Sequence, residues 1–280
     1  QGFSSTDERY SADGAVIPYN VNTEGAFADR STYVYTEVGL TSRVTLVGQV
    51  SYKRLYVTDE TFTPTFERRS FAWGTLGLGA RVDIGPSFRL AEDALTRVAV
   101  NTKVSIPLGY TRNYNPAVGS GQADVEATIN IGRSLWPLPG YVQAGVGYRY
   151  RTAFFGFSGV TDCTNGTDQN GHACLPVEEA DPDFGDEFLV TAEGGAQLGP
   201  VLLQLLVDAQ WSFRDPASIE ESEFVIQPEG FALQRYVRVG AGTTVYLPAE
   251  LGVSFQVFAA AHAQNALRGA QYFLGVEKKF

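Results

Sequence analysis

Apolar and polar side chains alternate along most of this chain at a period of two, the spacing that sends successive residues of a strand to opposite faces. Residues 201–213 are the cleanest case. Val201, Leu203, Leu205, Val207, Ala209, Trp211 and Phe213 share one face, opposite Gln204, Asp208, Gln210 and Ser212, with Leu202 and Leu206 intruding. The same reading predicts twelve strands, over residues 5–17, 31–40, 43–57, 71–84, 95–108, 122–135, 141–155, 184–198, 201–213, 231–247, 250–262 and 266–280. The first is interrupted around Asp13-Gly14, and residues 19–28 have loop chemistry. Connections after the second, fourth, sixth, eighth and tenth strands are mostly short, and those after the first, third, fifth, seventh and ninth are long. Every long loop therefore falls on one side, with both chain ends on the other.

An even strand number with short turns on one side and long loops on the other is what a closed transmembrane barrel requires. A soluble sandwich would not sort its loop lengths by parity. The closing stretch fits: Tyr272, Leu274 and Val276 share an apolar face, with Gln271, Phe273, Glu277 and Lys279 opposite. Lys278 falls on the apolar face, two residues from Phe280, where it could snorkel to headgroups. The expected fold is all-β: a single antiparallel transmembrane β-barrel of about 12 strands over residues 1–280. Both termini are expected to be periplasmic and the long loops extracellular. The 30 Gly, 14 Tyr and 18 Phe, with no Met, favour β structure over helix bundles. No run of about 18 apolar residues encodes a spanning helix. The chain opens on Gln1, as expected of an exported protein whose signal peptide has been removed, and the expected localisation is the bacterial outer membrane.

Three segments carry a family likeness: residues 35–40 (YTEVGL), residues 119–125 (GSGQADV), and residues 132–151 around Leu135-Trp136-Pro137-Leu138-Pro139-Gly140-Tyr141. Across residues 30–155 or so the chain resembles the outer-membrane transporters grouped as "meta-pathway of phenol degradation" proteins. The resemblance implies an outer-membrane location and uptake of small, often aromatic, compounds. Its motifs are turn and strand chemistry, more specific for fold than for function.

A net charge of −10 with no basic stripe argues against nucleic acid as a partner. If the barrel closes, the polar faces meet in its lumen. They bring Arg43, Lys53, Arg81, Arg97, Lys103, Arg149, Arg151 and Arg238 together with Glu37, Asp124, Glu126, Glu187, Glu193 and Asp208. Such a mixed set could be a salt-bridged plug or the lining of a wet channel, and both readings stay open. Cys163 and Cys174, eleven positions apart in a long polar loop, read as a disulfide made in an oxidising compartment. Asp181, Asp183 and Asp186 are carboxylates of the kind that hold Ca²⁺, against the plainer reading of a solvated loop. No cofactor is expected. The expected function is passive passage of small solutes, small aromatic or apolar compounds among them. Its rivals are an interaction barrel that presents its disulfide-braced loop to a protein partner, and a lipid-modifying enzyme. The last lacks a His-x-Ser pattern around His172 or His262. Outer-membrane lipid and lipopolysaccharide are the surroundings such a barrel would meet.

Overall fold

A β-strand satisfies its backbone only by pairing with neighbours, and here the pairing runs full circle. The computed structural model describes residues 1–19, 25–59, 66–85, 95–176, 184–215 and 233–279. Twelve strands close a barrel: β1 (Gly2–Thr6), β4 (Gly25–Gly39), β5 (Val44–Asp59), β6 (Phe66–Asp83), β7 (Thr96–Pro107), β8 (Asp124–Ser134), β9 (Gly140–Arg151), β10 (Glu187–Leu198), β11 (Val201–Ser212), β12 (Arg235–Leu247), β13 (Leu251–Gln264) and β15 (Gln271–Lys278). All are antiparallel. The seam is β1, which pairs Gly2 with Phe273 of β15 and with Ser31 of β4.

Three short strands lie outside the ring. β2 (Glu8–Tyr10), β3 (Val16–Pro18) and β14 (Ala266–Arg268) form a separate sheet over the end that carries the long connections. The strand expected over residues 5–17 is therefore corrected. The wall strand stops at Thr6, and the Asp13-Gly14 break is the turn of the β2–β3 hairpin, where the Ser11 backbone N–H donates to the Ala15 carbonyl. Strand β4 begins at Gly25, inside the stretch read as loop, and β5 and β6 run to Asp59 and from Phe66. β10 starts at Glu187 and β12 at Arg235, both later than the alternation suggests. β15 starts at Gln271 because residues 266–268 leave the wall for the small sheet.

Two bulges set which side chains point inward. Between Val50 and Tyr52 the β5–β6 register shifts, so Trp73 above and Leu76 below both face outward. Gly74 sits in this bulge, where a Cβ would come within 2.4 Å of Ser51 Oγ. The second bulge, at Val237/Arg238, gives β13 one extra residue. It turns His262 to the outer face, where its ring stacks on Trp211 at 6.4 Å. Plain alternation from Ala260 would place His262 on the lumen face; the bulge is what moves it.

Outward-facing Leu78, Ile129, Val146, Leu205 and Leu274 are all more than half exposed or close to it, an apolar belt suited to hydrocarbon. Phe71, Trp73, Tyr148, Trp211 and Phe213 ring its long-connection side. Leu205 pairs with Gly194 and Ala241 midway along β11. Replacing it by arginine should lower unfolding stability in bilayers by about 2–4 kcal/mol, as expected for a cation at the membrane midplane. Arginine at the neighbouring, inward Gln204 should cost far less in the same denaturant titration. Equal costs at the two sites would contradict the assignment of faces.

Candidate functional site

Alternation brings the inward side chains of seven strands into one hydrogen-bonded band across the upper lumen. On its left edge Lys103 of β7 lies 3.2 Å from Glu126 of β8. Glu126 also takes Arg149 of β9 at 3.0 Å, and Arg149 reaches on to Glu187 of β10 at 2.5 Å. Arg151 bonds the other Glu187 oxygen at 3.0 Å and lies 3.5 Å from Asp124. Glu187 is fully buried, and a buried carboxylate is tolerable only with such partners. Gln210 of β11 donates to Glu187 and accepts from Arg149 and from Tyr236 of β12. Arg238 ends the band, bonded to Asp208 and, at 2.7 Å, to Gln271 of β15. The neutral members Gln210, Tyr236 and Gln271 were not singled out from sequence, because alternation marks them as polar but not as bridges.

The other expected lumen residues lie apart from this band. Lys53 is buried on β5 with its Nζ 3.2 Å from Tyr33 Oη. Nearer the short-turn end, Glu37 pairs with Arg81 at 2.9 Å, and Arg97 lies 3.4 Å from Asp83 while remaining largely exposed. Glu193 accepts from Tyr141, Gln143 and Gln204. Arg43 falls in the turn before β5, at the rim rather than in the wall. Asp181 and Asp183 lie outside the described residues. Asp186 accepts from Tyr148 and from the Arg151 backbone, and among the described residues no group of three metal-binding side chains occurs.

The β7–β8 connection, residues 108–123, folds inward over this band. Tyr110, Asn113, Ala117, Val118 and Gln122 are buried, and Ser70 of β6 donates to the Pro116 carbonyl at 2.6 Å. The loop starts at the β6 bulge, where the Leu108 N–H donates to the Gly74 carbonyl. A Cβ on Gly119 would lie 2.7 Å from Tyr110 Oη, so a side chain here would push the buried Tyr110 aside. Tyr19, Phe27, Leu55 and Val57 pack beside it as an apolar core, joined by Leu267 of β14. The expectation that long loops lie outside is corrected for this connection; apolar Tyr110, Ala117 and Val118 inside a Gly- and Asn-rich segment are the signal the sequence carries.

A hairpin in the β9–β10 connection holds that loop down, and Cys163–Cys174 closes it. Asn113 is the hub. Its Nδ2 donates to the carbonyls of Thr161 and Leu175, and its Oδ1 accepts from the Thr161 N–H. Backbone bonds from Leu175 N to Asn113 O and from Asn115 N to Ala173 O add to the clasp. At the hairpin's edge Asp168 bonds His172 Nδ1 at 3.1 Å and Tyr114 Oη at 3.2 Å. Burial opposes ionisation of Asp168, but hydrogen bonds from His172, Asn170 and Tyr114 outweigh it and bring its carboxyl down to about 2.

Three spaces remain around these groups. A cavity of about 360 Å³ lies between the inward loop and the charged band, bordered by Gly119 and Ser120 above and by Arg149 and Arg238 below. Spaces of about 810 and 1600 Å³ continue through the lower lumen, the larger reaching Glu277 and Lys279 at the short-turn rim. Arg238 borders all three.

A closed twelve-stranded antiparallel barrel with an apolar outer belt and a charged, partly hollow interior is the architecture of bacterial outer-membrane barrels. The comparison with solved structures agrees. The COG4313 outer membrane channel from Pseudomonas putida F1 superposes with a TM-score of 0.61 at 14% identity, over 99% of this chain and 92% of that one. The NanC porin follows at 0.49 and 6% identity, over 100% and 98% of the two chains. Outer membrane phospholipase A from Escherichia coli gives 0.43 and 11%, over 100% and 95%. Identities this low establish the shared fold alone. No family model matches the chain, that of the phenol-degradation family included, and no curated protein matches it in sequence.

If the hairpin is what fixes the inward loop, then reducing Cys163–Cys174, or replacing Asn113 by alanine, should speed amide exchange across residues 110–118. The expected change is on the order of tenfold or more, since a buried hub loses its bonds. Exchange in β8 and β9 should be unchanged. Protection of residues 110–118 that survives both changes would mean the wall, rather than the hairpin, holds the loop.

Proposed function

We propose that this protein is a bacterial outer-membrane channel that passes small solutes by diffusion, with no covalent chemistry. Its long connections would face outward and its short turns the periplasm. The observation that carries this reading is the series of lumen spaces from the charged band to the short-turn rim, all three bordered by Arg238, with residues 108–123 folded over the far end. A disulfide in that outer layer suits an oxidising compartment. The overall fold is that of a solved outer membrane channel, which supports the same direction. The likeness of residues 30–155 or so to the phenol-degradation transporters favours small aromatic or apolar compounds among the solutes. Lipid and lipopolysaccharide would cover the apolar belt.

One observation favours a second reading. The mouth is packed with a buried loop, a disulfide-closed hairpin and a three-stranded sheet, as expected of a barrel that presents its outer surface to a protein partner. The two readings differ in what happens when the stopper is removed. Folded protein in a planar bilayer should give small, discrete conductance steps, and a variant with residues 111–120 replaced by a short glycine linker should give steps several-fold larger. Silence from both proteins would reject the channel and leave the interaction barrel.

A further inference from the structure

The charged band, whose Arg238 borders all three lumen spaces, is electrically balanced. Four cations, Lys103, Arg149, Arg151 and Arg238, face four carboxylates, Asp124, Glu126, Glu187 and Asp208, and each is in contact with an opposite charge. Resting on the channel reading above, we infer that this band selects uncharged, hydroxyl-bearing solutes of about monosaccharide size over ions of either sign.

Paired charges this close present the weak field of a dipole rather than that of a free charge, so the passage offers a permeating ion little attraction. Edges of one pair still reach the lumen spaces: Asp208 keeps 31% of its side-chain surface and borders the space of about 810 Å³, and Arg238 keeps 28% and borders both that space and the 360 Å³ cavity. A hydroxyl both donates and accepts. It can give its proton to Asp208 and take one from Arg238 while the ion pair stays intact. An anion has no such option, because it must compete with Asp208 for Arg238. A cation must likewise compete with Arg238 for Asp208. Either ion would also shed water in a space of about 360 Å³, and an unpaired charge loses heavily there.

The wall beside the charged band points the same way. Ala260 and Ala263 of β13 and Ala266 of β14 border it, small apolar groups that can meet a C–H face but cannot neutralise a charge. The cavity lies at the lower end of the range for small-molecule pockets, about 300–1,000 Å³. Arg238 borders both this cavity and the 810 Å³ space, and Asp208 borders the latter beside it, which makes their pair the element placed to decide passage between the two.

The experiment compares three solutes of one size and different charge: glucose, gluconate and glucosamine. Uptake is followed by swelling of proteoliposomes holding the folded, disulfide-intact protein. Glucose should enter several-fold faster than either charged analogue. In Asp208→Asn, which leaves Arg238 without its carboxylate, the ratio of gluconate to glucose uptake should rise on the order of tenfold, the weight of one charge-assisted contact. Heat-modifiable migration on a gel establishes that the variant barrel is folded. Gluconate or glucosamine entering the unaltered protein as fast as glucose would overturn the inference, as would an unchanged ratio in a folded Asp208→Asn barrel. Failure of all three solutes and of chloride to enter, through the unaltered protein and through the variant with residues 111–120 replaced, is a different result: it removes the channel reading itself.

Discussion

In hydrocarbon no water is present to take up a free N–H or C=O, and each unpaired group costs several kcal/mol. That constraint shapes everything else in this molecule. It forces the strands into a ring, with β1 completing the seam between β4 and β15. A ring of alternating strands in turn forces a division of side chains. One set faces lipid as an apolar belt, and the other is confined with its charges in a narrow interior. Confined charges must then find partners, and the band from Lys103 to Gln271 is the result.

The two ends of the lumen are treated differently. Short turns such as the one at Leu40 to Arg43 leave the lower interior open toward the rim. At the other end the long connections fold back on themselves. Residues 108–123 enter the barrel, and their hold on the wall is slight beside their hold on the β9–β10 hairpin. The Asn113 side chain alone makes three bonds to the β9–β10 connection, and its carbonyl a fourth. The disulfide thus acts at one remove: it shapes the hairpin, the hairpin fixes the loop, and the loop sets the size of the cavity over the charged band.

Much of this was legible in the sequence because a barrel wall is a local code. Period two assigns faces residue by residue, and the parity of loop lengths assigns ends, so β7 to β11 lie close to where alternation puts them. Bulges break the code. His262 changes face because β13 carries one extra residue opposite Val237/Arg238, and nothing in the run of small residues around it announces the shift. The first strand fails for another reason: Thr6 and Glu8 belong to different sheets, a choice made by β14 from the far end of the chain. Among the candidate residues, alternation supplied the charged members of the band. It missed Gln210, Tyr236 and the inward loop, whose positions depend on partners distant in sequence.

Residues 108–123 should narrow the lumen at the long-connection end and leave it accessible from the short-turn end. A single cysteine in place of Gln143, on the lower lumen wall, tests it directly, since the two native cysteines are bonded to each other. A membrane-impermeant thiol reagent is applied to one face of oriented proteoliposomes at a time. Rapid labelling from the short-turn face with slow labelling from the other is the result this account predicts. Labelling at equal rates from both faces would mean that the loop does not close the mouth, and labelling from neither would mean that the lower lumen is filled.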